Sequence, residues 1–304
     1  MSVGDVADNE IDVVESILRS LDPMGTRAAR VLRSTIDQLY DGQHTGRFRW
    51  DQLYKTEKTH CGTLVEINFQ REFRFDDGAA MDFQIGGIEV DCKYSQRIGG
   101  WMIPPEARNH ICMVVSATDG PDPIWSLGLV RTRNEWLNIG GNRDSKATLN
   151  DRGRSAIRWL WKDAKLPPNV LLQMPDEAVK KIMEKPSGSK RINELFRLAQ
   201  GRIVRRTIVA TVAQQEDYMK RVRANGGART ALRKEGIIVL GQYDSHARIA
   251  EALNLPIPGP GDSVSIRVVP AGGQGPGVAE ILGSYWRGAD PSDPVIAAPD
   301  LPSV

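Results

Sequence analysis

A chain of 304 residues with 40% hydrophobic content can form one large or two ordinary globular domains, and its net charge of +2 neither demands nor rules out a polyanionic partner. Three cysteines, Cys61, Cys92 and Cys112, with no CxxC, argue against a disulfide framework or a zinc ribbon and fit a reducing cytoplasm. The polar, acidic start MSVGDVADNE and the want of any membrane-length apolar run predict neither export nor membrane insertion.

In chain order, residues 11 to 41 predict two helices broken at Asp22-Pro23, with Val14, Ile17, Leu18 and Leu21 on the first and Ala28, Val31, Leu32, Ile36 and Leu39 on the second. Residues 60 to 73 predict a helix whose core side is Leu64, Ile67 and Phe73, with Val65 and Phe69 off that stripe. A hairpin follows at 80 to 94. Next come a Gly-Gly-Trp loop, where Trp101 is either an exposed rim residue or a packed one, and two strands, HICMVVSA and IWSLGLVR, around the turn DGPDP. These make helices around a central sheet, an α/β domain over residues 1–164. Lys165 to Pro168, with two consecutive prolines, predicts a linker over 165–175. Beyond it, helices at 176 to 184, 191 to 200, 203 to 213 and 215 to 224 precede strands IIVLG and SVSIRVV, forming a second domain over 176–304 whose tail after 288 is expected to lie loosely.

Charge is divided unevenly. Residues 1 to 160 carry 20 Lys+Arg against 23 Asp+Glu, and residues 161 to 304 carry 20 against 15. Between Lys185 and Lys234 stand 13 basic residues and only Glu194, Glu216 and Asp217 as acids. Such a surplus favours contact with phosphates. The basic candidates are Arg202, Arg205, Arg206, Lys220, Arg221, Arg223, Arg229, Arg233 and Lys234. Helices followed by strands suggest a winged helix-turn-helix, with Glu216 to Arg223 or Ala228 to Lys234 as the helix that would enter the major groove.

The hairpin AMDFQIGGIEVDCKY carries the chemistry. Gly86-Gly87 suits a turn that needs positive φ at both central positions, which sets Phe83 opposite Val90 and Asp82 opposite Asp91. Alternation then places Phe83, Ile85, Ile88, Val90 and Cys92 on one face and Asp82, Gln84, Glu89, Asp91 and Lys93 on the other. Opposed residues sit with Cβ atoms about 4.5 to 5.5 Å apart, where two carboxylates repel unless they share a cation such as Mg²⁺. Lys93 can then orient or help deprotonate the attacking water and offset transition-state charge. Glu66, inside the apolar run LVEINF, either completes this acidic cluster or is a helix-surface acid.

Asp82 followed by Asp91-Cys92-Lys93 resembles the PD-(D/E)xK nuclease superfamily, with Met81 where that motif has proline. The segments LYDGQHTGR, DQLYKTEKTHCGTLVEINFQREF, VDCK, WMIPPE, RINELFR and VAQQEDYMKRVR resemble the NaeI family of type IIE restriction endonucleases, from about Leu21 to Val269. That resemblance implies a homodimer, part of a restriction-modification system, whose first domain cleaves double-stranded DNA with Mg²⁺. It also implies a second domain similar to the DNA-binding domain of catabolite activator protein. Family cleavage-site residues fall on Glu66, Asp82, Asp91 and Lys93. The family's target is GCCGGC, cut to blunt ends, with a second copy bound as effector. Two alternatives remain at this point, a DNA-binding regulator that does not cut and a structure-specific repair nuclease.

Overall fold

The computed structural model describes residues 8–139, 145–223 and 226–302. The chain divides into two compact units, Met1–Leu39 with Leu53–Pro168, and Tyr40–Gln52 with Asn169–Val304.

In the first unit, α1 (Asn9–Leu21) is capped by Asp8 and buries Ile11, Val14 and Leu18. Helix α2 (Thr26–Tyr40) buries Ala28, Val31, Leu32, Ile36 and Leu39. The next helix, α3 (Gly42–Thr45), belongs to the second unit; α4 (Lys55–Phe73) returns to the first. The buried stripe of α4 is Cys61, Val65, Phe69 and Phe73, while Leu64 and Ile67 are only half-buried. This corrects the expected face. LVEINF is apolar at most positions, so composition cannot choose between adjacent stripes, and spacing of four residues at Cys61, Val65, Phe69 and Phe73 does.

Six strands form the sheet of this unit: β1 (Asp76–Asp77), β2 (Phe83–Ile85), β3 (Ile88–Ser95), β4 (Ile111–Ala117), β5 (Ile124–Arg131) and, after two intervening strands, β8 (Arg158–Lys165). A separate ribbon pairs β6 (Leu137–Ile139) with β7 (Ala147–Leu149) ahead of the short helix α5 (Asp151–Ser155). The β3–β4 pair is parallel and the other pairs are antiparallel, so the sheet is mixed. Every residue of β4 is buried, as expected of a central strand covered on both faces. Trp101 is fully buried and donates its indole N–H to Val115 O at 2.8 Å, which makes it a packing residue and not a rim residue.

The second unit gathers α6 (Asp176–Met183), α7 (Gly188–Leu198), α8 (Arg206–Ala213) and the one-turn α9 (Ala228–Ala231) around Ile192, Leu195, Phe196, Ile208, Val212 and Leu232. A four-stranded antiparallel sheet, in the order β11 (Val278–Ile281), β12 (Ser284–Gly288), β10 (Ser263–Pro270) and β9 (Ile237–Gly241), packs with α10 (Asp244–Ala252). Three expectations change here. The helix expected at 215 to 224 is a 3-10 turn at Tyr218–Arg221, because Gln214 ends α8 in a left-handed conformation and Arg221 folds back onto Gln215 and Asp217; residues 224 and 225 lie outside the described ones. The stretch expected to link the domains is not free, since β8 runs to Lys165 and Val170 and Leu171 enter the second core. Nor is the tail loose: Arg233 and Ala298 exchange bonds, Arg287 pairs with Asp293, and Ala298 is buried in the sheet's core.

Candidate active site

Gly86 and Gly87 both take positive φ, 62° and 78°, and the hairpin they close has the expected register: Phe83 opposite Val90, Gln84 opposite Glu89, Ile85 opposite Ile88. The ladder stops there. Asp82 lies one position past the last pair, and its carboxylate takes the place of a backbone acceptor, receiving the Cys92 N–H at 2.7 Å. Phe83, Ile85, Val90 and Cys92 are buried as expected, whereas Ile88 of the same expected face is only half-buried. Asp91 is buried too, although it shares the polar face.

Lys93 is the centre of the cluster. Its Nζ lies 2.7 Å from Asp91 Oδ1, 2.9 Å from Cys92 O and 3.4 Å from Asp82 Oδ2. Burial pushes Asp91 up to about 6, against the opposing pull of Lys93. Burial alone would lower Lys93, but Asp91 and Asp82 outweigh it and hold the side chain as an ammonium. Glu66 projects from α4 within electrostatic reach of all three; burial first, then repulsion from Asp82, raises its titration. The structure therefore brings Glu66, Asp82, Asp91 and Lys93 together from one helix and one hairpin. Among the described residues no three His, Cys, Asp or Glu side chains converge closely enough to form a ready metal cage.

One neighbour, Cys112, escaped the sequence reading of the site, and another, Glu89, was placed on its polar face without a role. Cys112 stands beside Asp91 across the parallel β3–β4 pair, and its thiol donates to Asp91 Oδ2 at 3.5 Å. Burial keeps that thiol protonated. Glu89 accepts the backbone N–H groups of Ala79 at 2.8 Å, Ala80 at 3.0 Å and Met81 at 2.8 Å, and the Gln84 amide at 2.7 Å. These bonds hold its carboxyl down at about 2. Only tertiary pairing reveals Cys112, whereas the alternation that singles out Asp91 and Lys93 also includes Glu89.

The basic candidates of the second unit separate by their contacts. Lys220, Arg223 and Lys234 are exposed, with no ion pair among the described residues. Arg202 is exposed and reaches Gln173 O, Arg206 is exposed beside the Tyr218 hydroxyl at 2.8 Å, Arg205 is half-buried, and Arg221 is paired with Asp217. Arg229 is half-buried, donates to Val239 O at 2.9 Å and lies over the Tyr243 ring. Arg233 ties the tail through Ala298 O and Asp300. Arg229 and Arg233 are thus spent on the fold. Among the described residues no helix is long and apolar enough to cross a membrane, and the three cysteines are free and buried.

A strand carrying Asp91 and Lys93, a second aspartate delivered by a hairpin and a glutamate from the covering helix thus form one mixed acidic and basic cluster. The family model described as Restriction endonuclease NaeI matches residues 12–297. The Type II restriction enzyme NaeI of Lentzea aerocolonigenes is 49% identical over 303 residues, covering 97% of this chain and 95% of that protein. The chain belongs to the NaeI family of type II restriction endonucleases, enzymes that cleave DNA at specific sites.

Proposed function

We propose that this enzyme hydrolyses both strands of double-stranded DNA at GCCGGC, leaving blunt ends, with Mg²⁺ held by Asp82 and Asp91, and that Glu66 and Lys93 complete the catalytic set. The observation that carries this reading is the contact of Lys93 with both Asp82 and Asp91, with Glu66 of α4 within electrostatic reach of all three. The donor set fits the ion. Three carboxylates and one ammonium sum to a formal charge of −2, which one divalent cation balances, and carboxylate oxygens are the ligands Mg²⁺ prefers. When bound, Mg²⁺ supplies charge neutralisation and polarisation of the scissile phosphate.

The protein's own groups supply the rest. Asp82 and Asp91 hold their oxygens in place through the Cys92 N–H and the Cys112 thiol. Lys93, held as an ammonium, stabilises charge building on the phosphoryl oxygens and orients the attacking water; in this geometry it does not remove a proton. Glu66 carries the raised proton affinity that a group accepting a proton from that water needs.

The second unit is read as a winged helix-turn-helix domain, related in kind to that of catabolite activator protein, which binds a second copy of the target as effector. Exposed Lys220, Arg223 and Lys234 supply phosphate contacts, together with Arg202, Arg205, Arg206 and Arg221. A palindromic target calls for a twofold homodimer, one active site per strand. Effector binding then raises cleavage through a coupling that linkage makes reciprocal. The whole acts in the cytoplasm as the cutting half of a restriction-modification system. The test is cleavage of one-site and two-site GCCGGC plasmids with Mg²⁺ and with EDTA, followed by sequencing of the ends. Blunt, Mg²⁺-dependent cuts within GCCGGC, faster on two sites, support the reading; binding without cuts would favour a non-cleaving regulator, and cuts set by DNA shape would favour a repair nuclease.

A further inference from the structure

Glu89 sits two residues before Asp91 on the polar face of β3, yet it does not meet Lys93. Its carboxylate turns to the segment ahead of Asp82. Oε1 accepts from Ala79 N and the Gln84 side chain, and Oε2 accepts from Ala80 N and Met81 N. Three consecutive N–H groups aimed at one anion form a backbone nest, here filled by a side chain of the same hairpin. The turn is tight: a Cβ on Gly78 would lie 2.0 Å from Met81 O and 2.9 Å from Glu89 Oε2. Immediately after Met81 comes Asp82, which has left the β2–β3 ladder and reaches Cys92 N and Lys93 by its carboxylate.

We propose that Glu89 is a positioning residue for cleavage, clamping residues 79–81 so that the Asp82 carboxylate is delivered to the Asp91–Lys93 pair in a metal-ready orientation. This rests on the reading that Asp82 and Asp91 hold the ion. The strand therefore serves the site twice, with Asp91 and Lys93 directly and with Glu89 by fixing the opposing carboxylate. Glu89 touches no reacting atom. Its charge is matched by the N–H groups it binds.

The experiment compares full-length wild type, Glu89→Gln, Gly78→Ala and, as control for the site itself, Asp91→Asn. Glutamine keeps the size of Glu89 but offers one acceptor oxygen and turns an amide donor toward N–H groups that need acceptors. Gly78→Ala crowds the same turn without altering any charge. Three readouts are taken: Mn²⁺ affinity without DNA, single-turnover cleavage against Mg²⁺ concentration, and hydrogen exchange of the amides of residues 79–81. For Glu89→Gln and Gly78→Ala we expect weaker Mn²⁺ binding and single-turnover rates lower by about 10- to 100-fold, the range typical of groups that orient metal ligands. Excess Mg²⁺ should recover part of the rate, affinity for DNA in EDTA should stay within about threefold, and amides 79–81 should lose protection. Wild-type Mn²⁺ affinity and Mg²⁺ response in both variants would overturn the proposal. So would a loss of cleavage that follows the melting temperature and leaves metal affinity untouched. If Asp91→Asn cleaves like wild type, the metal-site reading fails instead, and that result is separate from the behaviour of Glu89.

Discussion

Replacing Asp91 with asparagine should abolish cleavage and stabilise the metal-free protein. Burial lifts the carboxyl from 3.8 to about 6, with the help of Lys93 already counted against that rise. At 1.36 kcal/mol per pKa unit, carrying the charged form costs the fold about 3 kcal/mol. The sign follows from proton binding. Between pH 3.8 and 6 the folded protein holds this proton more tightly than the unfolded chain, so this contribution favours the fold at low pH and is lost as pH rises to 6. Asparagine keeps the shape and never ionises, while Lys93 retains Cys92 O at 2.9 Å and Asp82 at 3.4 Å. In EDTA at pH 8, Asp91→Asn should therefore gain about 1–3 kcal/mol, several degrees in melting temperature, and the gain should vanish toward pH 4. Cleavage should drop by at least about 10²–10³-fold with DNA binding kept. Thermal melts across pH, beside plasmid cleavage and gel-shift assays, decide it. A variant less stable than wild type at pH 8, or one that still cuts, would refute the argument that Asp91 is a charge buried at the expense of stability for the sake of the site.

Two further outcomes concern the second unit. Lys220→Ala, Arg223→Ala and Lys234→Ala should each weaken DNA binding and reduce the salt dependence of affinity by about one counterion, whereas Arg229→Ala and Arg233→Ala should mainly lower the melting temperature; DNA affinity titrated against salt, beside thermal melts, checks the division. His246 is buried with Nδ1 accepting the Gly241 N–H at 3.0 Å; burial, then Arg229, pull it down to about 4, with Tyr243 packed edge-on. Because the unfolded chain takes this proton first, stability should be full above pH 6.5 and fall by at most about 3 kcal/mol toward pH 4, and His246→Leu should flatten that slope in urea titrations.

What the sequence made legible was local. Gly86-Gly87 dictates its turn, the turn dictates register, and alternation along β3 then puts Asp91 and Lys93 on one face, all within about a dozen residues. Asp82 was legible as a partner but not by its route. It was expected as the next rung of the ladder, whereas the chain leaves the ladder and the carboxylate itself caps Cys92 N. The α4 stripe was misjudged because LVEINF offers two apolar faces and only the sheet beneath chooses Cys61, Val65, Phe69 and Phe73. Cys112 could not be found, since its neighbour Asp91 is 21 positions away across a parallel pairing that no turn specifies. The tail looked loose because its Pro, Asp and Ala composition hides carbonyls and carboxylates that Arg233, Arg267 and Arg287 hold.

The role of Lys93 leads to an outcome that runs against ordinary expectation. If Asp82 and Asp91 hold the ion as proposed, the ammonium of Lys93 stands in its place in the metal-free protein, 2.7 Å from Asp91 and 3.4 Å from Asp82. It therefore competes with any ion for the same oxygens. Removing it in Lys93→Met changes the formal charge of the cluster from −2 to −3, because Glu66, Asp82 and Asp91 remain. Even at an effective dielectric constant of about 20, one unit charge a few ångströms from a divalent ion is worth more than about 1.4 kcal/mol, or tenfold in affinity. Lys93→Met should thus bind Mn²⁺ at least about tenfold more tightly than wild type while losing cleavage, because the charge that stabilises the phosphoryl oxygens is gone. A direct Mn²⁺ titration in the absence of DNA measures this. Unchanged or weaker binding would mean that Lys93 organises the carboxylates more than it opposes the ion, and its place in the site would then be structural before it is catalytic.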